Sequence, residues 1–221
     1  MNRANRHQAA FTLIELLAVI TIMGIVAALV LSMNSAASTA KKRGMVDAEK
    51  HRLLAAIDTY QSKLGFYPPD NGNLATTNAA SYDRTAAINP LLYELTGGIL
   101  TNQGNTLVYE LKFGTPGSTI STNSYFNVFA RGGIANSDPT QPQSFFVPGP
   151  LPKDYTNYPN AANPNVLGLI VPVALTNGQV NFWHYDASSQ YRHNPNSYDL
   201  WAEFAISGVH GHVTIVTNGN W

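Results

Sequence analysis

The chain has 221 residues, with 13 Lys+Arg against 13 Asp+Glu and only 12% charged residues, so no global basic field draws it to nucleic acid or anionic lipid. Its Cys count is 0, which excludes disulfides, thiolate metal sites, cysteine nucleophiles and lipid attachment through cysteine. The length suits one helical stalk plus a globular domain of roughly 150 residues, large enough to bury a core, and is too short for two complete enzyme domains.

The chain opens with MNRANRHQAA, where Arg3 and Arg6 are not offset by any acid. Phe11 to Leu31 follow as FTLIELLAVITIMGIVAALVL, apolar except for Thr12, Glu15 and Thr21. About 20 such residues are long enough to cross a bilayer as one helix, and the basic residues before them keep Met1 on the cytoplasmic side. Inside that run an ionised Glu15 costs roughly 2.5–3.5 kcal/mol on insertion scales unless a partner compensates it or it reaches the headgroups.

A short basic leader, a small residue, FTLIEL and an apolar helix together resemble the prepilin signal of type IV pilins and type II secretion pseudopilins. The resemblance implies that a prepilin peptidase cuts between Ala10 and Phe11 on the cytoplasmic side and that the new amino group of Phe11 is methylated. The family usually has glycine before the cut, and Ala10 is also small. An ordinary secretory signal is cut after its apolar region. A cut before it leaves the mature protein with its membrane helix.

Beyond Leu31 no proline occurs until Pro68, and SMNSAASTAKKRGMVDAEKHRLLAAIDTYQSKLG keeps helix-forming residues, so the helix is expected to continue. Val46, Leu53, Ile57, Tyr60 and Leu64 fall on one stripe that needs a cover. From Phe11 to Leu64 the helix is about 80 Å long at 1.5 Å per residue, so its first half must project from a domain of this size. Lys41, Lys42 and Arg43 read as a solvated face at the membrane exit. Gly24 and Gly44 each cost roughly 1 kcal/mol relative to Ala.

In LGFYPPDNG, Gly65 suits a left-handed cap and Pro68 and Pro69 forbid continuation. Asn71 to Ser81 reads as a polar loop. Asn89, Pro90 and LLYELTGG give a cap, a first-turn proline, a short apolar helix beside the stalk and a glycine stop. In TLVYELKF, Leu107, Tyr109, Leu111 and Phe113 alternate as in a half-buried strand, SYFNVFA is a second strand candidate, and 135–164 reads as a long surface loop.

Further on, VLGLIVPVALTNGQVNFWHY suits a hairpin turning at Asn177-Gly178, with Pro172 at an edge or bulge. SYDLWAEFAI and HVTIV form a second pair joined by SGVHG, with Tyr198, Leu200, Ala202, Phe204 and Ile206 on one apolar face and Asp199, Trp201 and Glu203 opposite. The fold class is therefore α+β and pilin-like, a long N-terminal helix packed against a C-terminal antiparallel β-sheet. Four segments follow: 1–10 as leader, 11–33 as transmembrane and filament-core helix, 34–65 as its amphipathic continuation, and 66–221 as a periplasmic head.

His210 and His212 flank Gly211 and could meet a metal from one strand face, but no third ligand is legible nearby, and a hairpin tip is the simpler reading. Tyr155, Tyr158, Phe182, Trp183, Tyr185 and Tyr191 read as core and loop packing, or else as a platform for a sugar or, less well without a basic cluster, for a stacked base. No Walker loop, GxSxG elbow or zinc-protease motif occurs, so no enzyme activity is expected. The YP pair after the helix and SYDLW resemble major pseudopilins. In those, calcium is held in the loop after the YDL segment, which makes Asp199, Glu203 and Asn218 the calcium candidates here. No other cofactor is expected.

The resemblance implies a structural subunit that polymerises through its N-terminal helix, a type II secretion pseudopilin first and a minor type IV pilin with an adhesive head second. The partners it implies are further copies and other pseudopilins in a helical filament, the prepilin peptidase, membrane lipid before assembly, and an inner-membrane platform with a separate ATPase. No nucleic acid is expected. Residue by residue it assigns processing to Ala10 and Phe11 and assembly to Glu15, in a single-pass inner-membrane protein with its head in the periplasm. A third reading is an uncleaved single-pass protein displaying a binding or catalytic domain.

Overall fold

A computed structural model describes residues 12–138, 142–159, 165–175, 178–207 and 213–221, and for residues 30–35 and 207 their backbone alone. Helix α1, Leu13–Leu64, is one element of 52 residues, about 78 Å long. Its start is fixed by a capping box: Glu15 N–H donates to the Thr12 hydroxyl while the Glu15 carboxylate accepts from Thr12 N–H at 2.9 Å and from its hydroxyl at 2.8 Å. Its end is set by Gly65, whose φ of 84° is the left-handed conformation that a side chain would disfavour, followed by the two prolines. Neither Gly24 nor Gly44 interrupts it.

Val46, Leu53, Ile57 and Tyr60 are buried and Leu64 half-buried, so the expected stripe faces the core. Its cover is strand β7, introduced below, together with α3. Between the stalk and the strands, Gly72–Thr76 form a 3-10 turn where a loop was expected. Asn71 caps it by accepting from Asn73 N–H, and Leu74 anchors it in a small cluster with Ala86 and Trp201. Helix α2, Tyr82–Ala87, and helix α3, Leu91–Thr96, follow. At the start of α3 Pro90 takes the cap position in place of the first helical turn, and Asn89, one residue further out, accepts from Leu91 N–H at 3.3 Å and donates to the Ala86 and Trp183 carbonyls.

Strands β1, Gly98–Gln103, and β2, Thr106–Leu111, form an antiparallel hairpin, with β3, Thr119–Ser121, on the other side of β2. Within β2, Tyr109 and Leu111 are buried as expected, but Leu107 is exposed and Val108 buried. SYFNVFA is not a strand. It lies in helix α4, Thr122–Phe129, because Ser121 caps the Ser124 amide and Tyr125, Val128 and Phe129, at helical spacing, bury one face. The β preference of Tyr, Phe and Val is outweighed by that packing.

Strands β4, Tyr155–Asn157, and β5, Leu167–Leu169, make a two-stranded sheet. Strand β6, His184–Asp186, pairs with β7, Asp199–Ser207, which pairs along its length with β8, Val213–Gly219. The expected hairpin after Leu167 is present as antiparallel contacts, with Ile170 bridging Phe182 and Trp183 N–H donating to Leu169 carbonyl. Its second arm then passes into β6 and pairs with β7. The head is thus α+β with antiparallel strands, as expected, but the described strands form three sheets in place of one.

Candidate functional site: the stalk helix and its anchorage

From Leu13 to Leu29 every described side chain of α1 is exposed, with Leu13 at 82%, Ile14 at 74% and Met23 at 66%. Leu16, Leu17, Val19 and Ile20 point in successive directions around the helix, so the apolar surface surrounds it instead of forming one stripe. A helix apolar all round needs lipid or other helices on every side. Among the described residues no helix is long and apolar enough to cross a membrane. Described side chains in this part of α1 stop at Leu29, whereas the apolar run of the sequence begins at Phe11 and ends at Leu31.

A second feature was missed in the sequence although its signal was present. Small residues occupy every fourth position from Gly24 through Ala28, Ser32, Ala36, Ala40 and Gly44 to Ala48. Those with described side chains are exposed, and no other group lies within 4 Å of where a Cβ would stand on Gly24 or Gly44. Gly44 and Ala48 are each two residues from buried Val46, about 200° around the helix. At Gly44 and Ala48 the row therefore lies on the side away from the head, and because each four-residue step gains about 40° it winds around the helix toward Gly24, leaving small side chains where a second helix can approach closely.

The other half of α1 is clamped to the head. Tyr60 hydroxyl donates to buried Glu94 at 3.0 Å, and Tyr125 hydroxyl, Ala135 N–H and Asn136 N–H donate to the same carboxylate. Stalk, α4 and the loop after it thus meet on one group. Its pKa is raised, because burial outweighs those four hydrogen bonds. Lys50 donates to the Asn218 side chain and to Gly219 carbonyl, and Asn218 in turn donates to Asp47 at 2.9 Å. Arg52 bridges Glu49 and Asp154 at 3.2 Å each, donates to Pro148 carbonyl, and lies 4.1 Å over the Phe146 ring. Lys42, expected on a solvated face, instead donates to Ala205 carbonyl at 2.9 Å.

Of the residues singled out from sequence, Ala10, Phe11, Asn177, His210 and His212 lie outside the described residues. Glu15 is held in the capping box, which the spacing Thr12-x-x-Glu15 would have disclosed. The calcium candidates are not brought together. Asp199 is fully buried and accepts from His193 N–H at 2.6 Å and Asn194 N–H at 3.0 Å, so it organises the loop before β7. Glu203 shares its face of β7, while Asn218 pairs with Ala202 and points the other way, to Lys50 and Asp47. Among the described residues no group of three His, Asp or Glu could hold a metal ion. Of the aromatic set, Tyr158, Phe182, Trp183 and Tyr185 are buried, which removes the platform reading for them.

The family model of the prokaryotic N-terminal methylation motif matches residues 5–31, the leader and the exposed apolar part of α1. The chain carries a prepilin-type N-terminus. Such a terminus implies processing by a prepilin peptidase and assembly into pilin-type filaments, and with the helix-plus-sheet architecture it supports a pilin- or pseudopilin-type structural subunit. Comparison of this prepilin-type chain with curated proteins and with solved structures found no match.

Proposed function

We propose that the protein is a pseudopilin of a type II secretion apparatus. The chain is cut between Ala10 and Phe11 and methylated on Phe11, waits in the inner membrane with its head in the periplasm, and polymerises through α1 when an assembly ATPase extracts it. The observation that carries the subunit role is an apolar helix with every described side chain from Leu13 to Leu29 exposed, continuous with a helix clamped into a folded head. The choice of secretion over a pilus rests on the YP pair after α1 and on SYDLW, which resemble major pseudopilins.

After cleavage the Phe11 amine is a second charge in the apolar region, one helical turn from Glu15. Each alone is costly in low dielectric, and pairing Glu15 of one subunit with the amine of its neighbour lowers the penalty for both. The contact is head-to-tail, so repetition without closure gives a helical filament. It also sets the axial register of otherwise smooth apolar helices. The small-residue line from Gly24 to Ala48 supplies the close helix approach.

Mass spectrometry of the membrane-extracted protein is the first test, with a chain beginning at N-methylated Phe11 expected. An intact Met1 in cells with an active prepilin peptidase would overturn the assignment and leave the uncleaved anchor. Deleting the gene should abolish export of secreted proteins. Loss of surface pili with export intact would assign the chain to a pilus.

A further inference from the structure

Sheet edges in the head are treated unequally. Beyond Trp201, strand β7 loses its β6 neighbour, and side chains take over: Asn181 donates to Glu203 carbonyl and Lys42 to Ala205 carbonyl. Among the described residues strand β8 has no such cover. Only Gly219, at its end, receives a side chain on its backbone among the described residues, from Lys50. Its sequence VTIVTNG has no charge and no proline, the usual devices that blunt an edge, and Val213 and Ile215 are each 54% exposed. Among the described strands only β1 is as exposed: GILTNQ is also uncharged, lies at the edge of its own sheet, and shows exposed residues from Leu100 to Gln103.

We propose that the β8 edge receives strand β1 of a second copy, joining the sheets of neighbouring heads by main-chain hydrogen bonds. This rests on the filament reading above. The occupant follows from place and polarity. Asn218 and Gly219 of β8 are tied to Lys50, on the stretch of α1 just after Gly44 and Ala48, so a copy packed along that helix line arrives beside β8. Pairing β8 with β8 about a two-fold axis would turn one stalk against the other, whereas stalks drawn from one membrane share a direction. A different edge must answer it, and that head-to-tail pairing does not close on itself.

The natural chain has no cysteine, which makes the test clean. Carry Ile215→Cys together with a cysteine at Leu100, Thr101, Asn102 or Gln103 in turn, so that every register of the pairing is sampled, each on one full-length chain; assemble it in cells lacking the native subunit, check for filaments by electron microscopy, oxidise and run denaturing gels. Residues facing each other across paired strands are close enough for a disulfide. A ladder of dimers, trimers and longer species is expected from at least one of these double variants, absent from every single variant. Filaments without a ladder overturn the strand pairing and leave the filament reading standing. Dimers from Ile215→Cys alone overturn it in favour of a two-fold contact, and no filaments from the unaltered chain overturn both. As a second readout, Ile215→Lys should cut filament yield at least tenfold with the head's melting unchanged, while Ile215→Thr keeps the yield. Full yield with Lys overturns the proposal.

Discussion

Between Leu13 and Leu29 helix α1 keeps every described side chain exposed, whereas from Val46 to Tyr60 the same helix buries Val46, Leu53, Ile57 and Tyr60, ties Tyr60 to Glu94 of α3, and pins its polar flanks to the head through Lys50 and Arg52. The difference is one of partner. The second half has its cover inside the chain, so one stripe suffices and the remaining faces carry charge. In the first half the described side chains from Leu13 to Leu29 are all exposed and the apolar ones run all the way round, a pattern that suits lipid or other helices on every side. A single helix can therefore serve a folded domain and an assembly at once, provided that changes in one half leave the other untouched.

The sharpest way to break that separation is at Glu15. Glu15→Val should leave insertion and cleavage intact and the head's melting temperature unchanged, yet reduce filaments or secretion to background, while Glu15→Asp retains part of the activity. Wild-type assembly by the Val variant, after cleavage is confirmed by mass, would sink the pairing with the Phe11 amine.

A matched pair of truncations comes next. Leu53→Ala removes a fully buried side chain and should cost the head about 2–5 kcal/mol, read as a lower denaturant midpoint. Leu17→Ala, at an exposed site, should leave that midpoint in place. Equal effects would mean that the two halves are not independent. A fragment beginning near Ala36 should likewise stay soluble and show mixed helix and strand by circular dichroism.

Acid should reach the head through His184, which burial holds neutral with its pKa pushed down to about 4 from 6.5. The unfolded chain takes up that proton first, so the stability it contributes is full above pH 6.5 and is lost as pH falls toward 4, about 3 kcal/mol in all. Glu94, with its pKa raised by burial, works in the opposite sense: its contribution is full below about 4.5 and shrinks as pH rises through the folded value. Urea titrations between pH 4 and 7 on the wild type and on His184→Leu would separate them, with the variant expected to lose the acid-side fall. A variant that keeps the fall would acquit His184.

The smallest expected effect is at Gly44, exposed and in open space. Gly44→Ala should stabilise the helix by up to about 1 kcal/mol and keep assembly, whereas Gly44→Leu should keep the fold and hinder helix approach. Filament yield against melting temperature for the pair tests whether the small-residue line is an interface.

Long-range periodicity was the most legible feature of this chain. The extent of α1, its buried stripe, its glycine stop and the β7–β8 pair could all be read from spacing and punctuation, because each depends on neighbours within a turn or two or on a face repeated over many residues. Two further features are equally local: the capping box at Thr12 and Glu15, and the helical spacing of Tyr125, Val128 and Phe129, which their β preference masks.

The role of Glu94 could not have been read in advance, since its four donors come from residues 60, 125, 135 and 136. Nor could the outer face of β7. Asp199 and Trp201 alternate there as an exposed row should, but Asp199 accepts from the amides of His193 and Asn194, and Trp201 is covered by Tyr82 and by His184, stacked at 4.9 Å. By itself the sequence determined the prepilin-type terminus, the single long helix and the α+β class, because motif and periodicity act over a few residues. Only the tertiary structure decided that the described strands divide into three sheets, that Asn218 faces away from Asp199 and Glu203, and that Lys42 and Asn181 cover one sheet edge while, among the described residues, β8 receives only Lys50 at its end. Each of those depends on which distant segments meet, and a local pattern does not encode that.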